Sequence, residues 1–391
     1  MCGVGLCLGL AGRAATVYPQ GTAFPLEVYE ADGREMAGLA AHGWNILQSY
    51  GMGTADDNDR YLRKLAGLPV NGLIVVPCNG HGTNKMEWPA ERVQAWVQDV
   101  GTNPNVAWWD LPEEVRPWRA PEMRMVADYT AATRRFDPLR RPTYEYTPNH
   151  RDGPTVARTI TNVDVVGLSC YCEATHMPHA WVRYKVQEAG IHAIKLAGAT
   201  VGPDYLHGQK TPVAILYCAQ DKKGDAIATP EQSYHDFWSA VVSGARGIGV
   251  YSYFHSQRDN PGLAKNWERF NAAASELSGP EKIGEAVLWG ETVSEVGFEI
   301  VSGPAQTVAF RPSAEKHDFQ YPSINVLAKA KDGKLLVMAV NSTDQTVVAR
   351  ITGLPAGEAV LPFEGRSVAV KDGGVTETFA PGGVHVYKMV R

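Results

Sequence analysis

With 391 residues, 44% of them apolar and 20% charged, and a net charge of −5, the chain has room for one large domain of about 250 residues and one small one. The acidic balance leaves no basic surface to neutralise a phosphate backbone, so nucleic acid is not an expected partner. No stretch is long and apolar enough to span a bilayer, and no cofactor or resident metal is expected.

The chain opens on a short apolar run that ends in the small residues Ala14 and Ala15. It looks like the back of a signal peptide without its basic start, so residues 1–20 are expected to be a leader and the protein secreted or periplasmic. From there, β-branched and aromatic runs alternate with helical patterns, and the count reaches eight: 24–29, 44–49, 72–77, 106–109, 143–146, 163–171, 212–218 and 247–253. Eight such units predict a (β/α)8 barrel over residues 21–279.

The intervening segments carry helix signals. Asp56-Asp57-Asn58-Asp59 places negative charge at a helix start, and Pro89-Ala90-Glu91-Arg92 places proline in a first turn. Thr229-Pro230-Glu231-Gln232 opens a helix that runs to Gly244, and Asn260-Pro261-Gly262-Leu263 leads into a last one ending near Leu277. After Ser278-Gly279-Pro280 the pattern becomes all-β, with turn signals every 8 to 12 residues, so residues 280–391 predict a small antiparallel β-sandwich packed on the barrel.

Four of the six cysteines lie outside the leader: Cys78, Cys170, Cys172 and Cys218. They sit near the ends of strand-like runs, which points to small buried side chains, with Cys170 and Cys172 on the same face of one strand. A zinc site that adds His176 and His179 is the sharper alternative, although Cys-x-Cys lacks the two-residue spacing of common structural sites.

In a parallel barrel the active-site side chains lie just past the carboxyl ends of the strands. In chain order these are Glu27, Glu30, Asn79, His81, Asp110, Glu113, Glu114, Glu145, Asn149, Glu173, His176, Gln220, Asp221, Tyr253 and His255. Trp108 or Trp109, Tyr171 and Tyr253 are the candidate ring-stacking faces, and His81 and His176 the candidate partners of sugar hydroxyls. Several carboxyls around one mouth suit glycosidic bond cleavage, in which one protonated acid donates to the leaving oxygen while a second carboxylate attacks or activates water. The competing reading of Pro112-Glu113-Glu114 is a helix start, where proline and acidic residues serve capping.

Several of these runs resemble the clan A (β/α)8 glycoside hydrolases. Phe24-Pro25-Leu26-Glu27-Val28-Tyr29 followed by Gly43-Trp44-Asn45 looks like their opening, and Trp108-Trp109-Asp110-Leu111-Pro112-Glu113-Glu114 like their fourth strand, which bears the general acid. Val163-Asp164-Val165-Val166-Gly167 is similar to their sixth strand, and the run from Thr229-Pro230-Glu231 to Gly247-Ile248 to their last helix and strand. The resemblance covers nearly the whole chain and implies a glycosidase acting on an oligo- or polysaccharide, with Glu113, or Glu114 in another register, as the acid.

One departure concerns the nucleophile, because strand seven runs into Cys218-Ala219-Gln220-Asp221 where the family places a glutamate. Asp221, Glu173, a substrate acetamido group helped by Asp110, or an activated water remain open as alternatives. Two other classes stay in play. One is a carbohydrate-binding barrel without catalysis. The other is a metal-dependent hydrolase built on Cys172, His176, His179 and carboxylates.

Overall fold

The computed structural model describes residues 16–31, 35–49, 55–78, 87–220, 226–253 and 261–390. Eight parallel strands close a barrel in sequential order: β1 Leu26–Tyr29, β2 Ile46–Gln48, β3 Asn71–Val75, β4 Val106–Asp110, β5 Thr143–Thr147, β6 Val165–Ser169, β7 Thr211–Tyr217 and β8 Ile248–Tyr251. Closure is made by β1 pairing with β8, Glu27 lying opposite Gly249.

The helices around the barrel are α1 Met36–Ala41, α2 Ala55–Leu65, α3 Ala90–Val100, α4 Ala120–Phe136, α5 Gly153–Thr159, α6 Cys172–Thr175, α7 Trp181–Val186, α8 Ala193–Leu196, α9 Pro230–Val242 and α10 Ala264–Ser278. A π-helical turn at residues 187–192 joins α7 to α8. Helix α9 starts where the sequence signals it, since Thr229 accepts from the Gln232 N–H while the Gln232 side chain accepts from the Thr229 N–H. This reciprocal cap satisfies two donors that the first turn otherwise leaves open.

Alternation along the strands sorts their side chains into two cores. Val28, Leu47, Ile74, Trp109, Val166, Leu168, Leu216 and Val250 face outward into the layer under the helices. Tyr29, Ile46, Leu73, Trp108, Tyr144, Tyr146, Val165, Val213 and Ile215 fill the interior. Two glycines make room there. A Cβ on Gly167 would stand 2.2 Å from the Tyr144 hydroxyl, and one on Gly249 would stand 2.6 Å from Ile215 Cδ1 and 3.2 Å from Glu27 Oε2. The inward carboxyl of Glu27 therefore occupies space that a larger residue on β8 would take.

Three expectations need correction. The folded part begins inside the stretch assigned to a leader: Val17 bridges to Ala23, and Val17 and Tyr18 are both buried. Tyr18 packs edge-on against Trp289, which ties this segment to the barrel. The change to all-β after residue 280 is also not immediate, because α11 Ile283–Trp289 follows first, with Gly284 pressed against Phe24. Finally, Cys172 starts α6 rather than sharing a strand with Cys170, since β6 ends at Ser169.

Strands β9 Glu291–Thr292, β10 Gly297–Ser302, β11 Ile324–Lys331, β12 Lys334–Asn341, β13 Val347–Thr352, β14 Gly357–Leu361, β15 Arg366–Val370, β16 Gly374–Phe379 and β17 Val384–Val390 then form two antiparallel sheets. One is ordered β10-β13-β16 and the other β15-β14-β17-β12-β11-β9. Strand β12 is apolar from Leu335 to Val340 because both its faces are covered there. Leu335, Val337 and Ala339 enter the sandwich core, while Leu336, Met338 and Val340 join the barrel's outer core. No helix among the described residues is long and apolar enough to cross a membrane.

Candidate active site at the barrel mouth

The site is built on strand ends whose inward residues are polar. Glu27 is fully buried on β1, and neither of its oxygens has a hydrogen-bond partner at contact distance among the described residues. Burial pushes its carboxyl up to about 8, the nearby Tyr29 hydroxyl works in the opposite direction, and the charge of Glu113 raises it further. A carboxyl in such surroundings keeps its proton in neutral solution.

Asp110, at the end of β4, is also buried, and its Oδ2 accepts a hydrogen bond from the Gln48 amide on β2. Its carboxyl is held well above the usual range, first by burial, then by the charges of Glu113 and Glu27, with the Gln48 bond opposing.

Glu113 lies near enough for its charge to act on both of these groups, and the loop that carries it is pinned to the neighbouring strand. Leu111 N–H donates to the Tyr144 carbonyl at 2.8 Å and Glu114 N–H to the Tyr146 carbonyl at 3.0 Å. Further along, Arg116 N–H donates to Glu122 Oε2 at 2.8 Å, so the loop is held at both ends. It is not a helix start, because α4 begins only at Ala120. Glu113 is half-buried, and its charge reaches Glu27, Tyr29, Asp110, Tyr144, Tyr146 and Tyr171. Glu114, at φ 56°, is exposed.

Tyrosines wall the other side. The rings of Tyr171 and Tyr217 are 4.7 Å apart, and Tyr171 lies 6.1 Å from Tyr251 and 6.3 Å from Tyr146. Tyr29 closes the group at 6.1 Å from Tyr251, and its hydroxyl shares a hydrogen bond with that of Tyr144. Of these rings only Tyr171 and Tyr251 are half-buried and offer a face beside the acids, while Tyr29, Tyr144, Tyr146 and Tyr217 are buried.

The structure thus brings Glu27, Asp110, Glu113 and Tyr171 together, and it sets other candidates apart. Trp109 points outward, with its indole N–H donating to Asp137 Oδ2 at 2.8 Å, so it offers the mouth no stacking face. Asn149 brackets the turn after β6: its amide donates to the Tyr171 carbonyl, and its oxygen accepts from Tyr171 N–H and Trp181 Nε1. That leaves Asn149 committed to holding Tyr171 in place rather than to a ligand.

Tyr253 packs edge-on against Trp267 of α10 at 4.9 Å, on the outer side of the barrel. Glu173 lies 3.7 Å from His179, and the charges that act on it are those of Asp236 and His179, not those of the mouth. His176 is exposed at the left-handed end of α6, and Gln220 is half-buried just past β7. Asn79, His81, Asp221 and His255 lie outside the described residues.

Sequence reasoning missed Gln48, Tyr29, Tyr144, Tyr146, Tyr217 and Tyr251. Their signal is the two-residue period of the strands, because Glu27 and Tyr29, or Tyr144 and Tyr146, necessarily face the same way.

No protein-family model matches the chain, and no curated protein matches it in sequence. Solved structures do match in three dimensions. A glycoside hydrolase family 5 protein from Bacteroides vulgatus superposes with a TM-score of 0.56 at 11% identity, covering 95% of this chain and 89% of that one. A GH30 endoxylanase from Clostridium papyrosolvens gives 0.51 at 11% identity, over 95% and 96% of the two chains. A family 51 alpha-L-arabinofuranosidase from Bifidobacterium longum gives 0.51 at 11% identity, over 96% and 97%. At such identities the likeness is one of fold: the superposition extends over nearly the whole chain, including its closed eight-stranded parallel barrel.

Proposed function

We propose that the protein is a glycoside hydrolase that cleaves glycosidic bonds in an oligo- or polysaccharide, with Glu113 as the general acid at the leaving oxygen. The observation that supports this most is that Glu113, half-buried past the end of β4, acts by its charge on the buried carboxyls of Glu27 and Asp110 and on Tyr171. Three carboxyls this close do not all ionise together, and the protons that Glu27 and Asp110 retain stand beside Glu113 as a reservoir for acid catalysis. Glu114 is exposed, which favours Glu113 for the role.

Asp221, the next residue after Gln220, is the proposed second carboxylate. Glu173 is set aside because its partners are His179 and Asp236. Export to the periplasm or cell exterior, suggested by the apolar run at residues 4–15, belongs to the same proposal and is checked by fractionating cells that express the full chain.

A second reading, a sugar-binding barrel without hydrolysis, draws on the end of β7, where Cys218-Ala219-Gln220 supplies no carboxylate. Affinity electrophoresis on a polysaccharide panel, run beside a reducing-end assay, separates the two. A hydrolase releases new reducing ends from a glycan that Glu113→Gln still retards. Retardation by both proteins with no release from any glycan would leave the binding reading.

A further inference from the structure

Away from the mouth, where the turn after β6 meets α9, Cys172 Sγ, a ring nitrogen of His179 and a carboxylate oxygen of Asp236 all lie within 4.8 Å of one another. Glu173 stands beside them, with Oε1 3.7 Å from His179 Nε2. Asp236 accepts from His179 Nδ1 at 2.9 Å and from His235 Nδ1 at 2.8 Å, and the far nitrogen of His235 meets the Ser342 hydroxyl of the sandwich domain at 3.2 Å. The Cys172 residue is only 1% exposed, whereas the His179 side chain is 21% exposed, so the cluster is enclosed on one side and reachable on the other. The barrel chemistry proposed above uses none of these groups.

We propose that Cys172, His179, Asp236 and Glu173 bind one zinc-class divalent cation, which clamps the turn after β6 to α9. A thiol, an imidazole and two carboxylates are the donor set such an ion takes, whereas magnesium and calcium take oxygen alone. Bonds of about 2.0–2.3 Å in a tetrahedral site put neighbouring donors about 3.3–3.8 Å apart, so Cys172, His179 and Asp236 need contract by only about 1 Å, while Glu173 turns its carboxylate from His179 Nε2 towards them. His235, held between Asp236 and Ser342, would act as the outer partner that orients a ligand.

Without metal, the buried Cys172 thiol is pushed well above its usual range, and the carboxylates hold His179 up at about 9 against the opposing effect of burial. Coordination therefore transfers the thiol proton and the proton on the ligating imidazole nitrogen to solvent. Because Tyr171 immediately precedes Cys172, the clamp would also steady the tyrosine wall.

The test is a cobalt(II) titration of the full chain after dialysis against a chelator. The expected result is one bound cobalt per chain, with a thiolate-to-cobalt charge-transfer band that one equivalent of zinc abolishes. The band is expected to persist in Cys78→Ser and vanish in Cys172→Ser, with affinity falling at least about tenfold in His179→Gln. Absence of tight binding by the wild-type chain would overturn the proposal, as would a band that survives in Cys172→Ser.

Discussion

Replacing Glu27 with glutamine gives the sharpest account of what the buried mouth costs the fold. In the folded protein this carboxyl titrates at about 8 rather than at its ordinary 4.5, because it is fully buried. The folded state thus holds the proton more tightly than the unfolded chain does. Its contribution to stability is complete below about pH 4.5 and is lost as pH rises towards 8. At 1.36 kcal/mol per pH unit the whole loss is about 5 kcal/mol, of which about 3 kcal/mol has gone by pH 7.

Glutamine has nearly the shape of the protonated acid and never ionises. Urea denaturation of wild type and Glu27→Gln at pH 5, 6, 7 and 8 is therefore expected to show the variant gaining on wild type by about 1.2 kcal/mol for each unit up to pH 7 and by about 1 kcal/mol from pH 7 to 8, where the folded carboxyl itself begins to ionise. A stability difference that does not change between pH 5 and 8 would refute the burial argument for Glu27.

Other perturbations test the scaffold. Gly249→Ala drives a methyl to 2.6 Å from Ile215 Cδ1 and close to Glu27, and is expected to cost about 1–3 kcal/mol in denaturant unfolding. Asp137→Ala removes the partner of the fully buried Arg141 and of the Trp109 indole, a loss of about 3–5 kcal/mol on the same assay. Thr229→Ala breaks the reciprocal cap of α9 and is expected to lower stability by about 1 kcal/mol.

Much of the fold was legible because strand runs and helix starts are local. All eight barrel strands lie where β-branched and aromatic runs predicted them, and the capping pair Thr229 and Gln232 marks α9 in both sequence and structure. Helix α11 was not legible: Ile283–Trp289 is a short helix held by its packing on Phe24 rather than by strong local signals.

The site was legible in part. Asp110 and Glu113 follow from strand ends, but the facing of Trp108 and Trp109 depends on a register shift between Gly72 and Leu73 in the pairing of β3 with β4. That shift is a property of two strands together, and no reading of one of them shows it. Asn149 and Glu173 are drawn away by partners distant in the chain, Trp181 and Asp236, so their proximity to strand ends was misleading.

The most direct test of Glu113 as proton donor compares kcat/KM of wild type and Glu113→Gln on two substrates of the same sugar, one with a good aryl leaving group and one with an unactivated sugar alcohol. Donation from Glu113 predicts a loss of about 10²–10⁴-fold on the unactivated glycoside and a much smaller loss on the aryl glycoside, which needs little protonation to depart. Equal losses on both substrates, or an unchanged rate on the unactivated one, would contradict that role.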